Sequence, residues 1–160
     1  MSLIALRRAL TEPAAPGIGP LPADAACLLL DLEAPPRLAA HLRAVHDTAL
    51  RLVDAIGDAL PRLRFDHEEV LFGAATHDIG KVIHTGELSG PGHAHERAGY
   101  ELLLAHGVDA RLARFARNHA TWTAADISTE DLLVSLADKI WKAKRVRDLE
   151  DRVVEVADPP

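Results

Sequence analysis

The stretch Ala74-Ala75-Thr76-His77-Asp78-Ile79-Gly80-Lys81 constrains this chain most, because an apolar helical run ends there in two adjacent side chains that both bind cations. Val70, Ala74, His77 and Asp78 recur at helical spacing, so the imidazole and the carboxylate leave the face that such a helix buries. A neutral histidine and an ionised carboxylate inside a core need partners, since unpaired buried charge is costly. A divalent cation serves both. Gly80 suits the C-terminal cap of that helix.

The flanking sequence reads as helices that frame the pair. Residues 11–22 (TEPAAPGIGPLP) hold four prolines and two glycines and are expected to form a mobile lead-in over the domain. Ala23 to Glu33 forms a short helix with Asp24 near its start, ended by Pro35-Pro36. From Arg37 to Leu60, the residues Leu38, Leu42, Val45, Ala49, Leu52, Val53, Ile56 and Leu60 step by three and four along one helix. His41 and His46 lie at opposite edges of that stripe, and periodicity does not choose between them; Asp47 points away from it. Asp66-His67-Glu68-Glu69 opens the next helix with acidic residues that its dipole favours. Residues 84–92 (HTGELSGPG) form a loop over the site, and a helix from His93 to His106 is closed by Gly107. Asp109 caps a helix whose stripe Leu112, Phe115, Ala116 carries His119. Ser128 with Asp131 resembles a capping box for a last helix over Thr129 to Val154, apolar on two faces and therefore sandwiched. No strand alternation appears, so the expectation is an all-α fold, a single helical bundle of five to six main helices.

Composition narrows the class of function. A net charge of -6 and a pI near 5.8 argue against an extended nucleic acid as partner. The single Cys27 excludes an internal disulfide framework and suits a reducing cytoplasm, the expected location. No apolar core long enough for a signal peptide precedes Thr11, and no run approaches the ~20 apolar residues that span a bilayer, so no membrane is expected. Nine histidines against three phenylalanines and one tyrosine point to metal or acid-base work, or to surface histidines.

The candidate ligands are then His46, His77, Asp78, His95, His119 and Asp138, each on a different expected helix except the adjacent pair. In this order they resemble the HD-domain metal-dependent phosphohydrolases, whose pattern is a histidine, then His-Asp, then a distant aspartate. His46, His77-Asp78 and Asp138 in LADKIWKAKR match it. The local sequence HDIGK followed by HAHERAGYELL looks like the HD modules attached to bacterial tRNA nucleotidyltransferases, and less closely like the HD-GYP cyclic-dinucleotide phosphodiesterases. From the latter it departs, since Asn118-His119-Ala120 replaces their double histidine and no GYP motif follows. The resemblance covers Leu38 to Arg147. His95, in His95-Glu96-Arg97-Ala98-Gly99, falls at the family's second histidine, with His93 as its competitor. His119, which alone reads as a core histidine, matches the place where two-metal members hold another ligand.

What the resemblance implies is an HD-type metal-dependent hydrolase domain over residues 23–154, after a flexible lead-in over 1–22 and before a tail over 155–160. It implies one or two divalent ions, Mn, Fe, Mg, Co, Ni or Zn, that clamp the attacking and leaving oxygens of a phosphoryl transfer. The expected substrate is a small phosphorylated molecule, a nucleotide or small cyclic phosphodiester. Asp78, bridging both ions, is the expected proton acceptor, and Lys81 either orients substrate phosphate or compensates a helix C-terminus. Within the basic run after Asp138, Lys142 and Arg145 lie one and two turns on and are the expected phosphate contacts. Trp122 and Trp141 read as core or rim. The same ligand set occurs in HD-fold mixed-valent di-iron oxygenases, which is the alternative activity, and a non-catalytic metal-binding module is the second alternative.

Overall fold

The computed structural model of the chain describes residues 2–12 and 17–158, and within them every regular element is helical. The helices are α1 (Leu3–Thr11), α2 (Ala23–Asp31), α3 (Pro36–Ala59), α4 (His67–Thr76), α5 (Ala94–Ala105), α6 (Ala110–Asn118), α7 (Thr129–Trp141) and α8 (Arg147–Ala157). Two single-turn 3-10 segments, Ile79–Val82 and Thr85–Leu88, link α4 to α5. Among the described residues no helix is long and apolar enough to cross a membrane.

The all-α class is as expected, but the described residues hold eight helices rather than five or six. One addition is α1, which lies in the expected lead-in and buries Leu6 and Leu10 against the first core. Residues 13–16 of the same lead-in lie outside the described residues. The other addition comes from the expected last helix, which is two helices. Ala143 takes a left-handed φ of 52°, with Lys144 N–H bonded to Lys139 O at 2.9 Å and Ala143 N–H to Ile140 O at 3.0 Å. That is a Schellman end, the same motif that closes α5 at Gly107. Gly107 announces its turn in the sequence. Ala143 does not, because the usual glycine is missing.

Two cores flank the site. One gathers Leu6, Leu10, Leu29, Leu38, Leu42, Ile79 and Leu103, from α1, α2, the first half of α3, the 3-10 turn and α5. The other gathers Val45, Ala49, Val53, Val70, Phe115, Leu133 and Val134 from α3 beyond Ala44, α4, α6 and α7. Ala74 belongs to the second core and Ala75 and Ile79 to the first, so the His77-Asp78 pair falls where the two meet.

Two residues hold this arrangement in ways the sequence pattern conceals. Arg43, 3% exposed on α3, donates to the backbone carbonyls of Gly19 at 2.8 Å, Ala9 at 3.2 Å and Ile18 at 3.2 Å, and to that of Glu12. It ties α1 and the segment after it onto α3. Gly80 is not a helix cap, since α4 has already ended at Thr76 and the φ of Gly80 is not positive. A Cβ there would overlap the His95 carbonyl oxygen and sit 2.6 Å from the Gly99 amide nitrogen. Gly80 lets the turn after Asp78 lie against the backbone of α5, which brings Asp78 and His95 together.

Candidate metal centre

His77 and His119 are built by one local device used twice. Each is the residue that closes its helix, α4 or α6. Each turns its Nδ1 back onto the carbonyl three residues earlier, His77 to Ala74 at 2.9 Å and His119 to Ala116 at 3.1 Å. A carbonyl only accepts, so both Nδ1 atoms carry the hydrogen and one of the unpaired carbonyls at each helix end is satisfied. The Nε2 lone pairs are thereby left pointing inward. His95 near the start of α5 reaches the same state differently, with its Nδ1 on Glu87 Oε2. The Glu87 carboxylate also accepts the backbone N–H groups of Ala94 and His95, both at 3.1 Å, and so caps α5 while orienting the ring.

Around these rings the side chains fall into two triads, each with its potential ligand atoms within 4.8 Å of one another. The inner triad is Asp78, His95 and His119; the outer triad is His41, His77 and Asp138. Asp78 faces both. Its Oδ1 lies 3.1 Å from His95 Nε2 and 3.5 Å from His119 Nε2, while its Oδ2 lies 3.2 Å from His41 Nε2 and 3.7 Å from His77 Nε2. Asp138 Oδ1 is 3.5 Å from His77 Nε2 and 3.7 Å from His41 Nε2.

The fit to a cation can be tested on unpaired atoms. Buried polar atoms normally find hydrogen-bond partners, and an unpaired one costs about 1–3 kcal/mol. His41 Nε2, His77 Nε2, His95 Nε2 and Asp138 Oδ1 are all buried and all without a partner. Three of these atoms make up the outer triad and the fourth belongs to the inner one, and atoms so grouped fit cations better than they fit one another.

Charge supports the same view. Burial opposes ionisation of Asp78, yet His77, His41, His95 and His119 outweigh it and hold its carboxyl well below the usual range. Asp138 is likewise ionised against burial, by His77 and Lys142. Burial, helped by His77, pushes the His119 imidazole down to about 3, so it is neutral and able to ligate. Three ammonium groups sit on the carboxylates: Lys81 on Asp78 Oδ2 at 2.6 Å, and Lys142 and Lys139 on Asp138 Oδ2 at 2.8 and 3.1 Å. Above the outer triad, Lys81 and Lys142 join Arg37, His41 and Leu88 around a cavity of about 210 Å³.

Of the sequence candidates, His77, Asp78, His95, His119 and Asp138 come together, with Lys81 and Lys142 at their edge. His46 does not. It is buried on α3 with Asp47 and Glu68 as its charged neighbours, and His41 occupies the place expected for it. Five residues along a helix turn a side chain by about 140°, so the two imidazoles cannot share a direction. Arg145 also lies elsewhere, 87% exposed and paired with Glu150 at 2.6 and 2.8 Å, because α7 ends at Trp141 and the chain turns away before it. His93 is 85% exposed and bound to Glu96. Glu87 and Arg37 escaped the sequence reading. The signal available for Glu87 was a carboxylate in the loop just ahead of a helix start; Arg37 gave none beyond its charge.

A family model described as HD domain matches residues 38–158. No curated protein and no solved structure matches the chain.

Proposed function

Because this chain belongs to the HD domain family, we propose that it is a divalent-metal-dependent phosphohydrolase that acts on a small phosphate ester, a nucleotide or a small cyclic phosphodiester. The observation that carries the proposal is the pairing of the two triads with a cationic cavity directly above the outer one.

His41, His77 and Asp138 would hold one ion and Asp78, His95 and His119 the other. Imidazole-rich donor sets favour Mn, Fe, Co, Ni or Zn over Mg, which prefers oxygen. A divalent ion held by these residues would lower the pKa of a water towards ~7 and polarise a phosphoryl group. Asp78, whose carboxyl is held far below its usual range, is a weak proton acceptor, so its role here is to serve both triads. Lys81, Lys142 and Arg37 supply the phosphate contacts, in charge-assisted bonds. The carboxylates of Asp78 and Asp138 face the ammonium groups of Lys81, Lys139 and Lys142, and with Glu87 behind His95 there are three carboxylates to three ammonium groups. With those charges in balance, each divalent ion leaves two positive charges that favour an anionic substrate.

The same donors suit two irons, and the cationic cavity is what favours phosphate chemistry over oxygenase chemistry. A panel of phosphomonoesters and phosphodiesters, assayed with Mn, Fe, Co, Ni, Zn and Mg in turn, tests the reading. Turnover of at least one nucleotide or cyclic phosphodiester, abolished by chelation, is the expected result. No turnover with any metal, together with iron and a visible absorption band in aerobically purified protein, would replace it with the oxygenase reading; bound metal with neither would leave a non-catalytic module.

A further inference from the structure

Which ring nitrogen carries the hydrogen decides whether a histidine can face a cation. His77, His95 and His119 are set for it, since each Nδ1 is held by a carbonyl or a carboxylate. His41 is set the other way. Its Nδ1 lies 3.1 Å from Trp141 Nε1, and an indole N–H donates and never accepts. His41 therefore offers its Nδ1 lone pair to the indole and carries its hydrogen on Nε2, the atom that faces Asp78 and Asp138 without making a hydrogen bond.

An ion in the outer triad needs the Nε2 lone pair. The hydrogen then sits on Nδ1 and meets the indole N–H, two donors head to head, and one ring has to leave. His41 is mid-helix on α3 and packed edge-on against His77, with ring centroids 5.6 Å apart. Trp141 is the last residue of α7, 47% exposed, and borders a cavity of about 490 Å³ lined also by Ile18, Ala40 and Ala44. His41 borders that cavity as well, but moving its ring would take Nε2 out of the triad, whereas the indole can move without disturbing a ligand.

We infer that Trp141 is a displaceable lock on His41: while its N–H holds Nδ1 the outer triad does not take an ion, and an ion entering there expels the indole into the neighbouring cavity. The inner triad has no such lock and fills first. This rests on the reading that both triads take ions, and not on the hydrolytic chemistry.

The test uses the full chain with Trp122→Phe, which leaves Trp141 as the sole tryptophan of the two. Metal-stripped protein is titrated with Zn²⁺ alone, following heat and tryptophan emission in parallel. The first equivalent is expected to bind with emission unchanged, and the second, weaker one to change the emission as the indole leaves His41 for the neighbouring cavity. Adding Trp141→Phe is expected to tighten the second equivalent about threefold to tenfold, by removing one hydrogen bond that otherwise has to be broken, and to leave the first unaltered. Two equivalents bound with unchanged emission, a second equivalent no tighter without the indole, or a single equivalent in both proteins overturns the lock while leaving metal binding intact. No zinc bound at all overturns the metal reading itself.

Discussion

The inner and outer triads meet at one carboxylate, Asp78, and each holds one helix-closing histidine, His119 or His77, yet they are different kinds of site. The inner one is closed: Asp78, His95 and His119 are 1%, 5% and 6% exposed, and Glu87 fixes His95 from behind. The outer one is open, with the His41 side chain 20% exposed, its Nδ1 on a surface tryptophan, and all three lysines gathered on its side. His77 and Asp138 are as buried as the inner ligands, at 0% and 1% exposed, so the halves differ at His41 and in what stands behind each ring: a fixed carboxylate for His95 favours retention of an ion in the inner triad. Exposure and cations suit the outer triad to exchange and to a phosphate. A site can thus divide holding from reacting between two halves that differ in the exposure of one histidine and in the charges around it.

Removing the shared element should break the distinction most completely. Asp78→Ala is expected to empty both triads and abolish nearly all activity, measured by metal analysis beside the substrate assay. An Asp78→Ala protein that keeps a full complement of metal would end the shared-carboxylate account.

A substitution aimed at the backbone should damage the inner half while sparing its ligands. Gly80→Ala would drive a methyl into the α5 backbone at His95 and Gly99, so it is expected to cost about 3 kcal/mol or more and to loosen the inner ion. Gly86, whose added Cβ meets nothing within 4 Å, is the control, and Gly86→Ala should stay within about 0.5 kcal/mol. Thermal melts of the two metal-free variants make the comparison; equal losses would mean that close approach is not the reason for Gly80.

Next comes the support behind a ligand. Glu87→Gln keeps the shape but loses the charge that holds His95 Nδ1, and is expected to weaken the inner ion about 10- to 100-fold with the outer one little changed. Metal-buffered titration reads this directly, and equal weakening of both ions would argue that the triads act as one site.

The smallest expected effects belong to the rim. Lys81→Ala should lose a charge-assisted contact of about 1.5–3 kcal/mol, roughly tenfold to over a hundredfold in kcat/KM, with metal content unchanged. A loss confined to KM would assign Lys81 to ground-state binding and one confined to kcat to the transition state. Arg145→Ala should change neither parameter, since its guanidinium is paired with Glu150 in solvent. An Arg145 effect as large as that of Lys81 would mean that the cationic rim extends beyond the cavity.

Much of this molecule could be read before any coordinates. The stripes of α3 and α6, the Asp109 cap and the Ser128–Asp131 capping box are local patterns, and all of them stand in the structure. So does Gly107 at the end of α5. Where a local rule was broken the reading failed: Ala143 closes α7 in a glycine's conformation, and Gly80 serves close approach instead of a turn. Arg43 was hidden because its partners are backbone carbonyls, which look alike in every sequence.

What the sequence determined by itself was the all-α class and which helices carry which ligands, because helical periodicity and capping are settled within a few residues of chain. Periodicity fixes an angle on one helix but not the neighbour found at that angle. The choice of His41 over His46, the division of six side chains into two triads, Glu87 behind His95, and Trp141 on a histidine 100 positions away were decided only when the helices packed. Each depends on helix ends far apart in the chain converging between two cores, and that convergence is a property of volume and close approach, which no single stretch contains.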